Sequence, residues 1–170
     1  IYRQSDIILI SDYYDDEESF DKLDNFIAIH NKEKKIIITS SSNIYTKNKR
    51  YKFLYNLTLF DYFLLNNEDG LKFIDKDLSV DDIYKINNYY FNNINQVKTN
   101  SINKRLEEIS NKYNVKMLFK QDFQCQMRNK ICFGATDDGL KIYYDYGHYT
   151  LDGAKFFGKR IHQLSWLNFN

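Results

Sequence analysis

The chain has no proline and, in 170 residues, only six glycines and two cysteines. Without proline, and with no run of glycine or serine longer than Ser40-Ser41-Ser42, it contains no stretch with the composition of a linker. The cysteines cannot make a zinc centre, because two further soft ligands would be needed and no CxxC or neighbouring His pair supplies them. No segment approaches the roughly 20 consecutive apolar residues that span a bilayer, so direct membrane insertion is not expected. Charge of either sign is also missing as a block: 24 Lys and Arg interleave with 23 Asp and Glu. That balance lacks the basic footprint of a nucleic-acid binder. No metal site and no cofactor are expected.

What is present is an ordinary globular composition, 43% hydrophobic and 28% charged, at a length that suits one domain over residues 1–170. Asn, Lys, Ile and Tyr are abundant, which reads as AT-rich coding bias. Tyr and Phe, 15 and 13 residues, fall mainly inside periodic apolar segments and are read as core.

The pattern alternates strand and helix. Asp6 to Ser11 reads as a buried strand around Ile7–Ile10, and a carboxylate-rich turn follows. Phe20, Leu23, Phe26, Ile27 and His30 recur at helical spacing, predicting a helix over Glu17 to Asn31. Ile36 to Thr39 is a second buried strand, so the three elements form a βαβ unit with parallel strands. Ser40-Ser41-Ser42-Asn43 closes it, where ligand-facing loops of open α/β sheets sit.

Tyr51 to Leu65 has helical character, and Asn66 to Gly70 is a turn. Ser79 reads as an N-cap with Asp82 three positions on. Val97 to Tyr113 is a further helix with Ile102, Leu106 and Ile109 inward and Arg105 and Glu108 outward. Val115 to Phe119 is a third strand, Leu140 to Tyr144 a short one, and a terminal helix runs through Leu164. The fold class is therefore α/β. A chain that opens on a core strand, with Ile1-Tyr2-Arg3 in place of a start methionine or signal peptide, looks like a fragment.

Cys125 and Cys132 are separated by six polar and turn-forming residues, and read either as two free thiols or as a local disulfide. A bridge there would imply an oxidising compartment and contribute about 2–3 kcal/mol through a short closed loop. Of the three histidines, His30 suits a half-buried structural place at a helix end and His162 a surface or packing place. His148 differs: Asp145 precedes it by three residues, between an apolar stretch and a helix start. That spacing can build an acid–His pair, the carboxylate setting the tautomer of a general base. A capping or surface role is the alternative from spacing alone.

The run Asp145-x-x-His148-x-Thr150-x-x-Gly153 ahead of a terminal amphipathic helix resembles the last conserved block of SGNH hydrolases. Strand, helix, strand, helical insertion, strand, Cys125…Cys132 and this block together resemble the SGNH domain fused to the C-terminus of membrane acyltransferase-3 type proteins, which O-acetylate bacterial surface polysaccharides. The resemblance covers essentially the whole chain, with its specific motifs confined to Cys125–Gly153. It departs from the family at Tyr149, where Leu is usual. It departs more seriously in having no Gly-Asp-Ser block, for which Ser5 and Ser11 are poor matches. The strand at Ile7–Ile10 resembles the family's third, so the Gly-x-Asn-Asp block would fall on Ser11-Asp12-Tyr13-Tyr14, with an aromatic in place of the Asn.

The resemblance implies a three-layer α/β/α sandwich with a mainly parallel sheet, SGNH- or flavodoxin-like, lacking its first βα unit or units. It implies catalytic roles for His148 and Asp145, and the family's paired cysteines at Cys125 and Cys132. It assigns helix capping to Thr150 and close helix packing to Gly153. The implied chemistry is acyl transfer, with an upstream Ser as nucleophile. The implied partners are a surface glycan acceptor and an acyl donor relayed by an upstream membrane acyltransferase domain, at the periplasmic face of the bacterial inner membrane. The competing expectations are a secreted SGNH carbohydrate esterase and a non-catalytic glycan-binding α/β module.

Overall fold

The computed structural model describes residues 5–12, 14, 16–42, 57–66, 78–145 and 148–168. Along the chain the strands are β1 (Ile7–Ile10), β2 (Lys35–Thr39), β3 (Lys116–Leu118), β4 (Cys125–Gln126) and β5 (Ile131–Cys132). The helices are α1 (Glu17–His30), α2 (Leu59–Asn66), α3 (Val80–Asn92), α4 (Gln96–Tyr113), α5 (Gln121–Gln124) and α6 (Leu151–Gln163), with a 3-10 turn at Met127–Asn129. The aromatic segment Tyr51–Asn56, the turn at Asn67–Gly70, and Tyr13 and Asn43 lie outside the described residues.

These elements assemble into two compact units, Ile1–Ile44 with Asn95–Gln121, and Tyr45–Ile94 with Asp122–Asn170. In the first, β1, β2 and β3 form a parallel sheet in that order, with Ile8 beside Ile36, Ile10 beside Ile38, and Ile38 beside Met117. Because the order steps in one direction, right-handed crossovers carry α1 and α4 to the same face. There Ile36 and Ile38 pack with Phe20, Leu23 and Ile27 of α1 and with Ile102, Leu106 and Ile109 of α4. Local chemistry sets the helix ends: the Asp16 carboxylate accepts the Ser19 amide at 2.8 Å, and Glu17 and Glu18 sit in the first turn against the helix dipole.

The result is a mixed α/β fold with a small parallel three-stranded sheet and six helices among the described residues. Both crossover helices of the sheet share one face, so these elements form two layers. β1 also departs from the buried strand that its sequence predicts. It lies at the sheet edge, and on the face away from α1 and α4 Ile7 and Leu9 stay 38% and 42% exposed. Alternation along a strand explains this, since only Ile8 and Ile10 point toward the helices. The serines that close β2 are structural. The Ser40 hydroxyl is buried, donates to the Ser41 carbonyl and accepts the Lys120 amide at 2.8 Å, while Asn103 takes the Ser41 amide at 3.0 Å.

The second unit is held by an aromatic core that includes Tyr62, Tyr90, Phe123, Ile142 and Phe157. Ser79 caps α3 in a reciprocal capping box with Asp82, as their spacing predicts. The strand expected at Leu140–Tyr144 is not continuous. Lys141 bridges back to Ala135 and Tyr143 bridges forward to Tyr149, so the segment changes partner before either ladder can extend.

Candidate active site: the Asp145–His148 hairpin

Two aromatic residues and one glycine seat the hairpin. Tyr143 is buried, stacks on Tyr90 of α3 at 5.6 Å and meets Phe157 of α6 edge-on at 6.2 Å. Tyr90 is fixed in turn, its hydroxyl accepting the Phe60 amide of α2 at 3.1 Å. Gly153 lets α6 lie directly on the hairpin, since a Cβ there would stand 2.1 Å from the Ile142 carbonyl oxygen. Thr150 caps α6 by accepting the Gly153 amide at 3.0 Å, and its hydroxyl donates to the Lys141 carbonyl at 2.6 Å.

The hairpin closes with two hydrogen bonds. The Thr150 amide donates to the Ile142 carbonyl at 2.9 Å and the Tyr144 amide to the His148 carbonyl at 2.8 Å, with Tyr143 and Tyr149 paired between them. Asp145 then organises the turn. Its Oδ1 accepts the His148 amide at 2.9 Å, and its two oxygens lie 2.9 and 2.8 Å from His148 Nδ1. A carboxylate in this position places the proton on Nδ1 and leaves Nε2 as the basic nitrogen. Nε2 has no protein partner among the described residues, and the His148 side chain is 81% exposed against 29% for Asp145. The arrangement can therefore accept a proton from a group brought to it. Tyr146 and Gly147 lie outside the described residues.

Cys125 and Cys132 face each other across β4 and β5 and form a disulfide with 4.0 Å between Cα atoms, which resolves the choice between thiols and a bridge. This cross-link reaches the hairpin through one side chain. Buried Gln124, next to Cys125, donates its amide to the Tyr149 hydroxyl at 3.0 Å. The Tyr149 ring packs on Phe157 at 5.0 Å and Tyr143 at 5.3 Å. Burial holds its phenol above the ordinary value, with the Gln124 amide opposing. Tyr149 is therefore a hydrogen-bonded anchor for the residue before it.

His30 and His162 take no part in this arrangement: His30 is half-buried and rests 4.6 Å from the Phe26 ring, and His162 is exposed in the last turn of α6. Asn87 belongs to no sequence motif and yet has a structural role. This buried side chain accepts the amides of Gly134 and Ala135 at 2.8 and 2.9 Å and so fixes the segment leading to the hairpin. A polar residue inside the apolar stripe Ile83, Ile86, Tyr90 was the available signal.

The chain matches no family model, no curated protein and no solved structure. Among the described residues no group of three or more His, Cys, Asp or Glu could hold a metal ion. No helix among them is long and apolar enough to cross a membrane.

Proposed function

We propose that this chain is part of an SGNH-type domain that transfers an acyl group, an O-acetyl group above all, to a bacterial surface polysaccharide. Asp145 orients His148 through Nδ1, and Nε2 takes the proton of a serine supplied upstream of Ile1 as that serine attacks the acyl carbonyl. The donor's acyl bond breaks as its leaving group departs with the proton from Nε2. The acyl-enzyme ester is then attacked by a sugar hydroxyl, or by water in an esterase, whose proton passes through Nε2 to the leaving serine oxygen. The observation that carries the reading is the two-oxygen hold of Asp145 on His148 Nδ1, with Nε2 left without a protein partner among the described residues.

Two further features support it. The Cys125–Cys132 disulfide suits an oxidising compartment such as the periplasm. The outer edge of β1, with Ile7 and Leu9 exposed beside it, offers a place for the family's earlier βα units. Those units would extend the sheet and supply the second helical layer of a three-layer sandwich. On this reading the domain works at the periplasmic face of the inner membrane, receiving its acyl donor from a membrane acyltransferase domain.

The test uses the full-length protein with p-nitrophenyl acetate as donor. His148→Ala should lower p-nitrophenol release by about 10²–10⁴-fold, the usual worth of a general base. Release that persists unchanged would reject the catalytic reading and leave a non-catalytic glycan-binding module.

A further inference from the structure

The hairpin that presents His148 presents a second side chain beside it. Tyr143 and Tyr149 form the inward pair, their rings 5.3 Å apart and in contact with the aromatic core. Side chains alternate between faces along a strand, so the next pair outward, Tyr144 and His148, belongs to the opposite face. Both are open to solvent, Tyr144 at 68% and the His148 side chain at 81%. The Tyr144 amide donates to the His148 carbonyl, which makes them direct cross-strand neighbours. Residues so placed have Cβ atoms about 5 Å apart.

We propose that Tyr144 is the acceptor platform of this site, a specificity-determining residue that holds a pyranose ring against its face while one ring hydroxyl reaches His148 Nε2. The inference rests on the acyl-transfer reading above and names what that reading leaves open, the shape of the acceptor. Tyr144 leaves its ring face open to solvent beside the imidazole, in contrast with buried Tyr143 one residue earlier, and such a face can take an apolar ligand surface. A pyranose matches it. The ring's C–H face is apolar and its rim carries hydroxyls, so stacking buries the first and leaves the second free to donate. A pyranose is also about as wide as the separation of cross-strand neighbours, which places a rim hydroxyl beside the imidazole. An open-chain polyol lacks the flat apolar face and gains nothing from the platform.

The step is balanced within the proposed chemistry. The sugar oxygen forms a bond to the acyl carbon as the serine ester bond breaks. The hydroxyl proton passes to His148 Nε2 and then to the leaving serine oxygen.

The test compares two acceptors in the full-length protein, methyl β-D-glucopyranoside and glycerol, at equal hydroxyl concentration with p-nitrophenyl acetate as donor. Acylated sugar, acylated glycerol and free acetate are quantified together by mass spectrometry. The wild-type protein should prefer the pyranoside, and Tyr144→Ala should reduce the sugar-to-glycerol product ratio about tenfold, the order of an aromatic contact. Tyr144→Phe and Tyr144→Trp should keep the ratio, because the face and not the hydroxyl does the holding. A merely structural role would lower total turnover and leave the ratio unmoved. A wild-type protein indifferent between the acceptors, or a Tyr144→Ala variant that keeps the preference, overturns the proposal. If p-nitrophenol release does not depend on His148, it is the underlying acyl-transfer reading that has failed, and the two outcomes are told apart in the same assay.

Discussion

Helix α6 contains two glycines, and the same substitution at each should have opposite effects. At Gly153 a methyl group would lie 2.1 Å from the Ile142 carbonyl oxygen and 2.8 Å from two more backbone atoms of that residue. Backbone cannot rotate aside as a flexible side chain can, so the first turn of α6 must back away from the hairpin by more than 1 Å on this order of overlap. Overpacking a tight contact costs about 1–3 kcal/mol, and a backbone collision belongs at the upper end of that range. The same movement strains the cap bond from the Gly153 amide to Thr150 Oγ1, worth about 1 kcal/mol. Against this, replacing a helical glycine with alanine returns at most about 1 kcal/mol, so Gly153→Ala should lose about 3 kcal/mol in all. At Gly158 nothing lies within 4 Å of the added methyl, and only the helix gain of about 0.5–1 kcal/mol remains. The lone tryptophan, Trp166, packs edge-on against Phe123 at 4.9 Å and reports on the unit that contains both sites. Its fluorescence through a urea titration should show the midpoint falling for Gly153→Ala and rising for Gly158→Ala. Midpoints that move in the same direction would refute the claim that α6 is seated on the hairpin through Gly153.

Three other outcomes are expected. Asn87→Ala should cost about 2–4 kcal/mol, because it strips acceptors from two backbone amides at once, and urea denaturation measures it. Tyr14 is buried with no hydrogen-bond partner for its hydroxyl among the described residues, and burial first, then Asp12, pushes its phenol up to about 12. The unfolded chain ionises Tyr14 near pH 10, so its contribution to stability is intact below that and is lost as pH rises from 10 toward 12. Tyr14→Phe should flatten that alkaline decline and, by removing the orphaned hydroxyl, raise stability at neutral pH, both read from denaturation midpoints across pH. Reducing the Cys125–Cys132 bridge, or replacing both residues with alanine, should lower stability by about 2–3 kcal/mol, the worth of a short closed loop. A denaturation curve unchanged by reductant would contradict it.

Elements with their own local code were legible in the sequence. The βαβ unit followed from Ile runs flanking a helical period, and the capping box from Ser79 and Asp82. Asp145 and His148 were legible as a pair because three residues of separation let one carboxylate reach both the amide and the ring of the same His. What depends on distant partners was not. The edge position of β1, the broken strand at Leu140–Tyr144 and the anchoring of Tyr149 by Gln124 each depend on which neighbour the chain meets in space. Asn87 and Gln124 carry no motif, and their roles emerge only where buried backbone and phenol groups require partners.

The central claim is that His148 serves a serine nucleophile, and a fluorophosphonate probe tests it without knowledge of acyl group or glycan. In the full-length protein the serine oxygen should attack phosphorus and release fluoride, with His148 Nε2 taking the proton. Peptide mass spectrometry should then find one labelled serine upstream of Ile1, with labelling slowed by about 10²-fold or more in His148→Ala. A full-length protein that takes no label, or that labels equally fast with and without His148, would contradict the account.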